Sequence, residues 1–282
     1  MATKANTRKN FKERVLKLRG NLSLPPDASI IFPVNAQADL ENLINTIEDV
    51  LKYQGEFKIE LIPVINNYPP EKPPAEIARL REEGVNVVAV PDARVPGEVV
   101  GFSARIPGVR AATSEITIHF DADCHIPNPT KLIDFYINTL QTDAALAYTP
   151  VLFFDLRPGI TIQIHVLLHH FSRWIKRNIL RIPTPRGSNY AIKKSVLLEM
   201  YDNRLLSEDI FIGTTLKALG KKCVYSPDKE KAVYTSGRMF NPGIKYLYRY
   251  LKERILFHIR YFREMRMIEK MKRKKLNIAE EN

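Results

Sequence analysis

Apolar runs of strand length alternate with amphipathic stretches of helix length, and this alternation limits the fold more than any other feature of the chain. Residues 28–33, Ala28-Ser29-Ile30-Ile31-Phe32-Pro33, read as a short buried strand. Leu40, Leu43, Ile44, Ile47 and Leu51 then recur with a helical period across residues 37–53. Residues 57–64 predict a second strand, ending at Asn66-Asn67-Tyr68-Pro69-Pro70. Pro73 and Pro74 suit the first turn of a helix that stops near Gly84. Residues 85–90 and 115–120 predict two more strands, with a short Pro-interrupted helix over 103–113 between them. A helix follows Pro129, and 144–154 is strand-like. Residues 165–179 and 192–200 read as helices. Over 207–219, Ser207 is placed to cap a helix, Glu208 and Asp209 occupy its first turn, and Gly220 ends it. Residues 223–226 form a last strand, and a long helix is expected from Pro242 to about residue 275. This order predicts an α/β sheet, mostly parallel and flanked by helices on both faces.

Composition narrows the class. An apolar content of 45% over 282 residues allows a sizeable core. Two cysteines, Cys124 and Cys223, cannot build a disulfide scaffold or a thiolate zinc site. No stretch has the length and apolarity of a spanning helix, and no apolar segment follows the first charges as in a cleaved signal. The net charge of +12 is concentrated at the ends: +6 over residues 1–20 and +9 over 240–275, with a nearly neutral body. Three segments follow: a basic arm (1–20), a main domain (21–240) and a basic amphipathic helical extension (241–282). Such ends attract anionic lipid or nucleic acid, or are simply solvated. No reading element for nucleic acid accompanies the charge, so no specific nucleic-acid partner is expected. In the extension, Ile244, Tyr248, Leu251, Ile255, Ile259 and Phe262 recur every three or four residues, followed by Lys270, Lys272, Arg273, Lys274 and Lys275. That pattern suits either peripheral docking on an anionic membrane, from the cytoplasmic side, or packing on the chain's own domain.

Asp121-Ala122-Asp123 follows the apolar run Ile116, Ile118, Phe120, at the strand edge where open α/β sheets bind ligands. Two carboxylates on one side of a strand end repel unless a proton or a cation intervenes, which suits Mg²⁺ or Mn²⁺ on a diphosphate; turn capping is the alternative. A phosphatase of the haloacid-dehalogenase type would place Thr or Val where His125 stands. Dinucleotide, P-loop and H-E-x-x-H signatures are absent. His169 and His170, beside Phe171 and Trp174, read as packing or surface residues.

Further pieces fall in a recognisable order. Ile30-Ile31-Phe32-Pro33-Val34 comes first, then Asp92, then Ala104-Arg105 with Gly108 and Ala111-Ala112. Asp121-Ala122-Asp123, Gly187-Ser188-Asn189 and Ala191-Ile192-Lys193 follow. Glu208-Asp209, Gly220, Tyr225-Ser226-Pro227 and Thr235-Ser236-Gly237-Arg238 complete the set. Over residues 28–240 the chain resembles the family 2 glycosyltransferases, whose fold is the Rossmann-like GT-A. The resemblance implies a nucleoside-diphosphate sugar donor, a UDP-sugar by preference, and inverting transfer to an acceptor hydroxyl that is lipid-borne or otherwise unidentified. It implies Asp123 as the direct metal ligand, with Asp121 beside it and near the ribose or the sugar. Pro33, Asn35, Asn66 and Asp92 would approach the nucleoside, Arg105 and Arg238 the diphosphate. Asp209 matches the catalytic base, with Glu208 next to it, and the helix start would keep these acids ionised. Asn35-Ala36 and Asn66-Asn67 stand where the family often carries acids. The Q-x-x-R-W signature of processive synthases is missing, which favours a single transfer. The competing class is a non-catalytic basic protein, binding lipid or nucleic acid on a decayed transferase fold. The survival of Asp121, Asp123 and Asp209 together argues against decay.

Overall fold

Strands at the middle of this chain's sheet are apolar at nearly every position because helices cover both faces. The computed structural model describes residues 2–21 and 23–241, together with Lys252, Leu256 and Arg263. The strands are β1 Ala28–Asn35, β2 Ile59–Asn66, β3 Val88–Val90, β4 Ile116–His119, β5 Leu146–Tyr148, β6 Val151–Phe153, β7 Tyr190–Lys193, β8 Cys223–Tyr225 and β9 Val233–Thr235. The helices are α1 Ala2–Arg19, α2 Leu40–Val50, α3 Ala75–Glu82, α4 Val100–Ser103, α5 Arg105–Ala111, α6 Pro129–Leu140, α7 Ile160–Asn178, α8 Lys194–Asp202 and α9 Ile212–Ala218. Seven strands form one sheet in the order β3-β2-β1-β4-β7-β5-β8, and β6 pairs with β9 in a second, parallel one. Within the large sheet, β7 runs antiparallel to β4 and β5, and the other ladders are parallel. The α/β expectation holds.

Alternation along β1 divides the core in two. Ile30, Phe32 and Val34 pack on one side with Leu43 and Ile47 of α2 and Ile133 and Tyr136 of α6. Ile31 packs on the other with Val64, Phe102, Val109, Leu197 and Phe211. Helix α5 lies so close to β1 and β2 that a Cβ on Gly108 would sit 2.6 Å from Val64 Cγ2 and 2.9 Å from Ile31 Cγ2. That approach sets the depth at which Arg105, the first residue of α5, enters the fold.

Several expectations change. Residues 144–154 are two strands in different sheets, parted by Thr149 and Pro150. Ile192 and Lys193, read as the start of a helix over 192–200, belong instead to β7 between β4 and β5, and the helix starts at Lys194. The basic stretch 1–20 is helix α1, which buries Phe11, Val15 and Leu18 in the first core. Ser207 caps nothing: Glu208 holds the N-cap position, without a side-chain capping bond, of a single 3-10 turn over Asp209–Phe211 that leads into α9. The expected long helix from Pro242 and its basic run at 270–275 lie outside the described residues.

Candidate active site

Strand β4 ends at His119, so Asp121 and Asp123 stand on the turn that follows it and not on a continuing strand. The turn is fixed from two sides. The Thr46 hydroxyl on α2 lies 2.7 Å from both the Ala122 and the Cys124 carbonyl oxygens. One turn further on, Asp49 accepts from the Ile126 amide at 3.0 Å and lies 2.5 Å from His125 Nδ1. On the other side His125 exchanges backbone hydrogen bonds with Tyr234 of β9, at 2.8 and 2.9 Å.

Both carboxylates then face a cleft of about 1010 Å³ at the carboxyl ends of β1, β2 and β4, where the strand order reverses. Pro33, Asn35, Asn66, Asp92, Asp121, Asp123 and Arg238 line it, as do Asn67, Tyr68, Arg94 and the Gly187-Ser188 turn. Asn66 donates to the Val34 carbonyl and Asn67 to Asn35 Oδ1, each at 2.9 Å, so the strand ends are cross-linked by amides. Arg94 grips Asp92 through both carboxylate oxygens and its backbone amide, which lowers the Asp92 pKa to about 2.

Arg105 is not where a diphosphate contact belongs. It is 2% exposed and does not line the cleft, because α5 carries it under the turn. Its Nη2 donates to Asp121 Oδ1 at 2.5 Å and to the Gly187 carbonyl at 2.8 Å, and its Nε donates to Asp209 Oδ2 at 3.2 Å. Burial works against the guanidinium charge, yet Asp209 and Asp121 together hold its pKa above the ordinary arginine value. One buried cation thus ties the Asp121 carboxylate, which lines the cleft, to the Asp209 carboxylate, which does not.

Asp209 is 18% exposed and accepts from the Tyr190 hydroxyl at 3.0 Å as well as from Arg105. Burial pushes its carboxyl up, the Arg105 charge and the Tyr190 bond hold part of that shift back, and Asp121 adds to it. Arg105 and Tyr190 thus favour its charged form, in a carboxyl that burial still holds above the ordinary aspartate value. Tyr190 in turn stacks on His119, ring centroids 4.4 Å apart. Burial and the Arg105 charge keep that imidazole neutral. Glu208 is half-buried, and neither it nor Asp209 lines the cleft. Gly187 stands between: a Cβ there would lie 2.6 Å from Asp209 Oδ2 and 2.8 Å from Arg105 Nη2. Only a residue without a side chain lets the cleft wall and the carboxylate come this close.

Two buttresses escaped the sequence reading. Asn189, fully buried, accepts from Tyr136 at 2.5 Å and donates to Thr149 at 2.6 Å, which anchors the Gly187 turn. Asp155 accepts from the Ser236 hydroxyl at 2.5 Å and from the Gly237 amide, which holds the loop carrying Arg238. Neither has a local signal, since each acts on residues more than 39 positions away or across separate strands.

Among the described residues no three His, Cys, Asp or Glu side chains converge as a metal-binding group. A hard cation on a diphosphate needs fewer, because one or two carboxylates and the phosphates themselves complete its shell. Asp123 suits that role. Its partners are distant, the Thr235 hydroxyl at 3.5 Å and Arg238 at 3.6 Å, and burial and the Asp121 charge push its carboxyl up. Asp39, on the cleft wall, keeps a buried Oδ1 without a hydrogen-bond partner and adds to the negative field at Asp123. The residues present fit Mg²⁺ or Mn²⁺.

The family model described as "Glycosyltransferase like family 2" matches residues 26–270, and the chain belongs to that family. Its mostly parallel sheet flanked by helices agrees with the GT-A fold expected of that family. Among solved structures, mannosyltransferase PcManGT from Pyrobaculum calidifontis, in complex with GDP-Man and Mn²⁺, is similar at 15% identity, with a TM-score of 0.48. The similarity covers 83% of this chain and 66% of that one, so the chain spans just under two thirds of the solved structure's length. No curated protein matches the sequence. No described helix is long and apolar enough to cross a membrane.

Proposed function

We propose that this chain transfers a sugar from a nucleoside-diphosphate sugar to an acceptor hydroxyl, with inversion and with a divalent cation. The observation that carries the reading is Arg105, whose single buried guanidinium joins Asp121 on the cleft side to Asp209 behind the Gly187 turn. A decayed binding fold has no use for that connection. In this reading Asn35, Asn66 and Asp92, with Pro33 beneath, meet the nucleoside, and Arg238 reaches the diphosphate. Asp123 and Asp121 would hold Mg²⁺ or Mn²⁺, which when bound neutralises charge on the departing diphosphate. Asp209 takes the acceptor proton as the new bond to the anomeric carbon forms and the carbon–diphosphate bond breaks on the opposite face. A UDP-sugar is the favoured donor and a lipid-borne hydroxyl the favoured acceptor, on a protein working at an anionic membrane surface.

Calorimetry with UDP and GDP, in Mn²⁺, Mg²⁺ or EDTA, tests the donor half, and a UDP- and GDP-sugar panel tests turnover. Nucleotide affinity should rise with the cation and be largely lost in Asp123→Ala. Equal affinity in EDTA and Mn²⁺ would remove the cation from the reading.

A further inference from the structure

Helix α7 is turned the opposite way to a helix packed in water. The face it buries carries Ile162 with His165, His169 and Lys176. The face it shows to solvent carries Ile160, Ile164, Leu167, Leu168, Phe171 and Trp174, each three or four positions along from a neighbour in the same stripe. Leu167 is 67% exposed and Trp174 48%. A surface helix ordinarily points such a stripe at the core. Six large apolar side chains left in water forgo a burial comparable with the net stability of a whole domain, so a face like this marks a binding surface.

Charge says what covers it. From residue 156 to residue 198 the sequence has no Asp or Glu. Exposed arginines bracket the stripe, Arg157 before the helix and Arg181 after it. Phe171 and Trp174 are stacked on the outward face with ring centroids 6.1 Å apart, and the Trp174 indole N–H gives the pair an amphipathic ring. Residues 240 and 241 also pack here: the Phe240 ring lies on those of His165 and His169, and Asn241 accepts from the Arg157 amide at 3.0 Å. The sequence that follows, 242–275, holds twelve Lys or Arg against three Glu. An apolar, aromatic stripe with cationic ends, next to the start of a basic segment, complements an anionic bilayer. An apolar protein groove would match the stripe but not the charge.

We propose that the outward face of α7 docks on an anionic lipid bilayer, with Leu167, Phe171 and Trp174 entering the boundary between headgroups and acyl chains and Arg157 and Arg181 on the headgroups. The docking face does not depend on what the chain transfers. Trp174 is the sole tryptophan of the sequence and reports directly on the contact. The full chain is titrated with vesicles of phosphatidylcholine, alone or mixed with phosphatidylglycerol. Trp174 emission should shift to the blue and be quenched by brominated acyl chains with the anionic vesicles only, and added salt should weaken the effect. The double variant Leu167→Glu/Phe171→Glu should lower partitioning at least about tenfold, with thermal unfolding unchanged because both positions are exposed. Equal partitioning of variant and parent would assign binding to the segment after Asn241 and overturn the proposal. So would a Trp174 already shielded from acrylamide without lipid: in a monomer this means cover by the chain's own segment, and if it grows with protein concentration, cover by a second copy.

Discussion

At the scale of single residues, the contest between burial and the Arg105 charge decides the chemistry of Asp209. Burial wins, so the carboxyl titrates above an ordinary aspartate of about 3.9. The proposed base must be unprotonated to act, so turnover should fall as pH drops through that raised value, with the acid limb of kcat above the range of an ordinary aspartate. Asp209→Asn should lower kcat by about 10²–10⁴ and leave donor affinity nearly unchanged, as read by initial rates and calorimetry. Near-full turnover of that variant would move the base to Glu208. Arg105→Lys keeps the charge and loses the fork that serves three acceptors at once. Weaker support for the Asp209 charge should move the acid limb of the rate profile to higher pH, and the melting temperature should fall. An unmoved acid limb would confine Arg105 to a structural part. The sequence supplied Asp121, Asp123 and Asp209 as types, since D-x-D and E-D are local patterns. It could not supply the burial of Arg105, which depends on how close Gly108 lets α5 come to β1 and β2.

At the scale of elements, what was legible is what repeats locally. Ile30 to Phe32, with helical periods on either side, is enough for β1 and α2 because strand and helix declare themselves within a few residues. Strand β7 did not, because Tyr190-Ala191-Ile192-Lys193 runs on into a helix and becomes a strand only by pairing with β4 and β5. In α1 the frequent lysines and arginines mask Phe11, Val15 and Leu18, which form a stripe only where the fold offers them a core. Helix α9 carries an element-scale test. A Cβ on Gly213 would lie 2.0 Å from the Pro183 carbonyl oxygen, a backbone atom with little room to retreat. Gly213→Ala gains roughly 1 kcal/mol of helix propensity. Overpacking costs typically about 1–3 kcal/mol, and here the larger figure applies. Net destabilisation is the expected result in urea unfolding, with the same change at Gly220, which meets nothing within 4 Å but has a φ of +68°, costing through backbone strain instead.

Across the whole molecule, the cleft is built from parts of the chain far apart in sequence. Strands β1 to β3 and their loops supply one end of it, while the Gly187 turn and the Arg238 loop, with Asp209 behind the turn, come from the second half of the sequence. The two parts meet through the β4–β7 ladder, which pairs Ile116 with Lys193 and His119 with Tyr190.

That ladder has a kinetic consequence. Closing a loop of some seventy residues is entropically slow, whereas β1 and β2 pair across a single helix. During refolding the first three strands and their helices are therefore expected to collapse early, with neither Asp209 nor Gly187 yet in place around Arg105. After dilution from denaturant, far-UV ellipticity should recover ahead of cation-dependent nucleotide binding, measured by stopped-flow with a fluorescent nucleotide. Simultaneous recovery would mean that the antiparallel strand nucleates the sheet instead of sealing it.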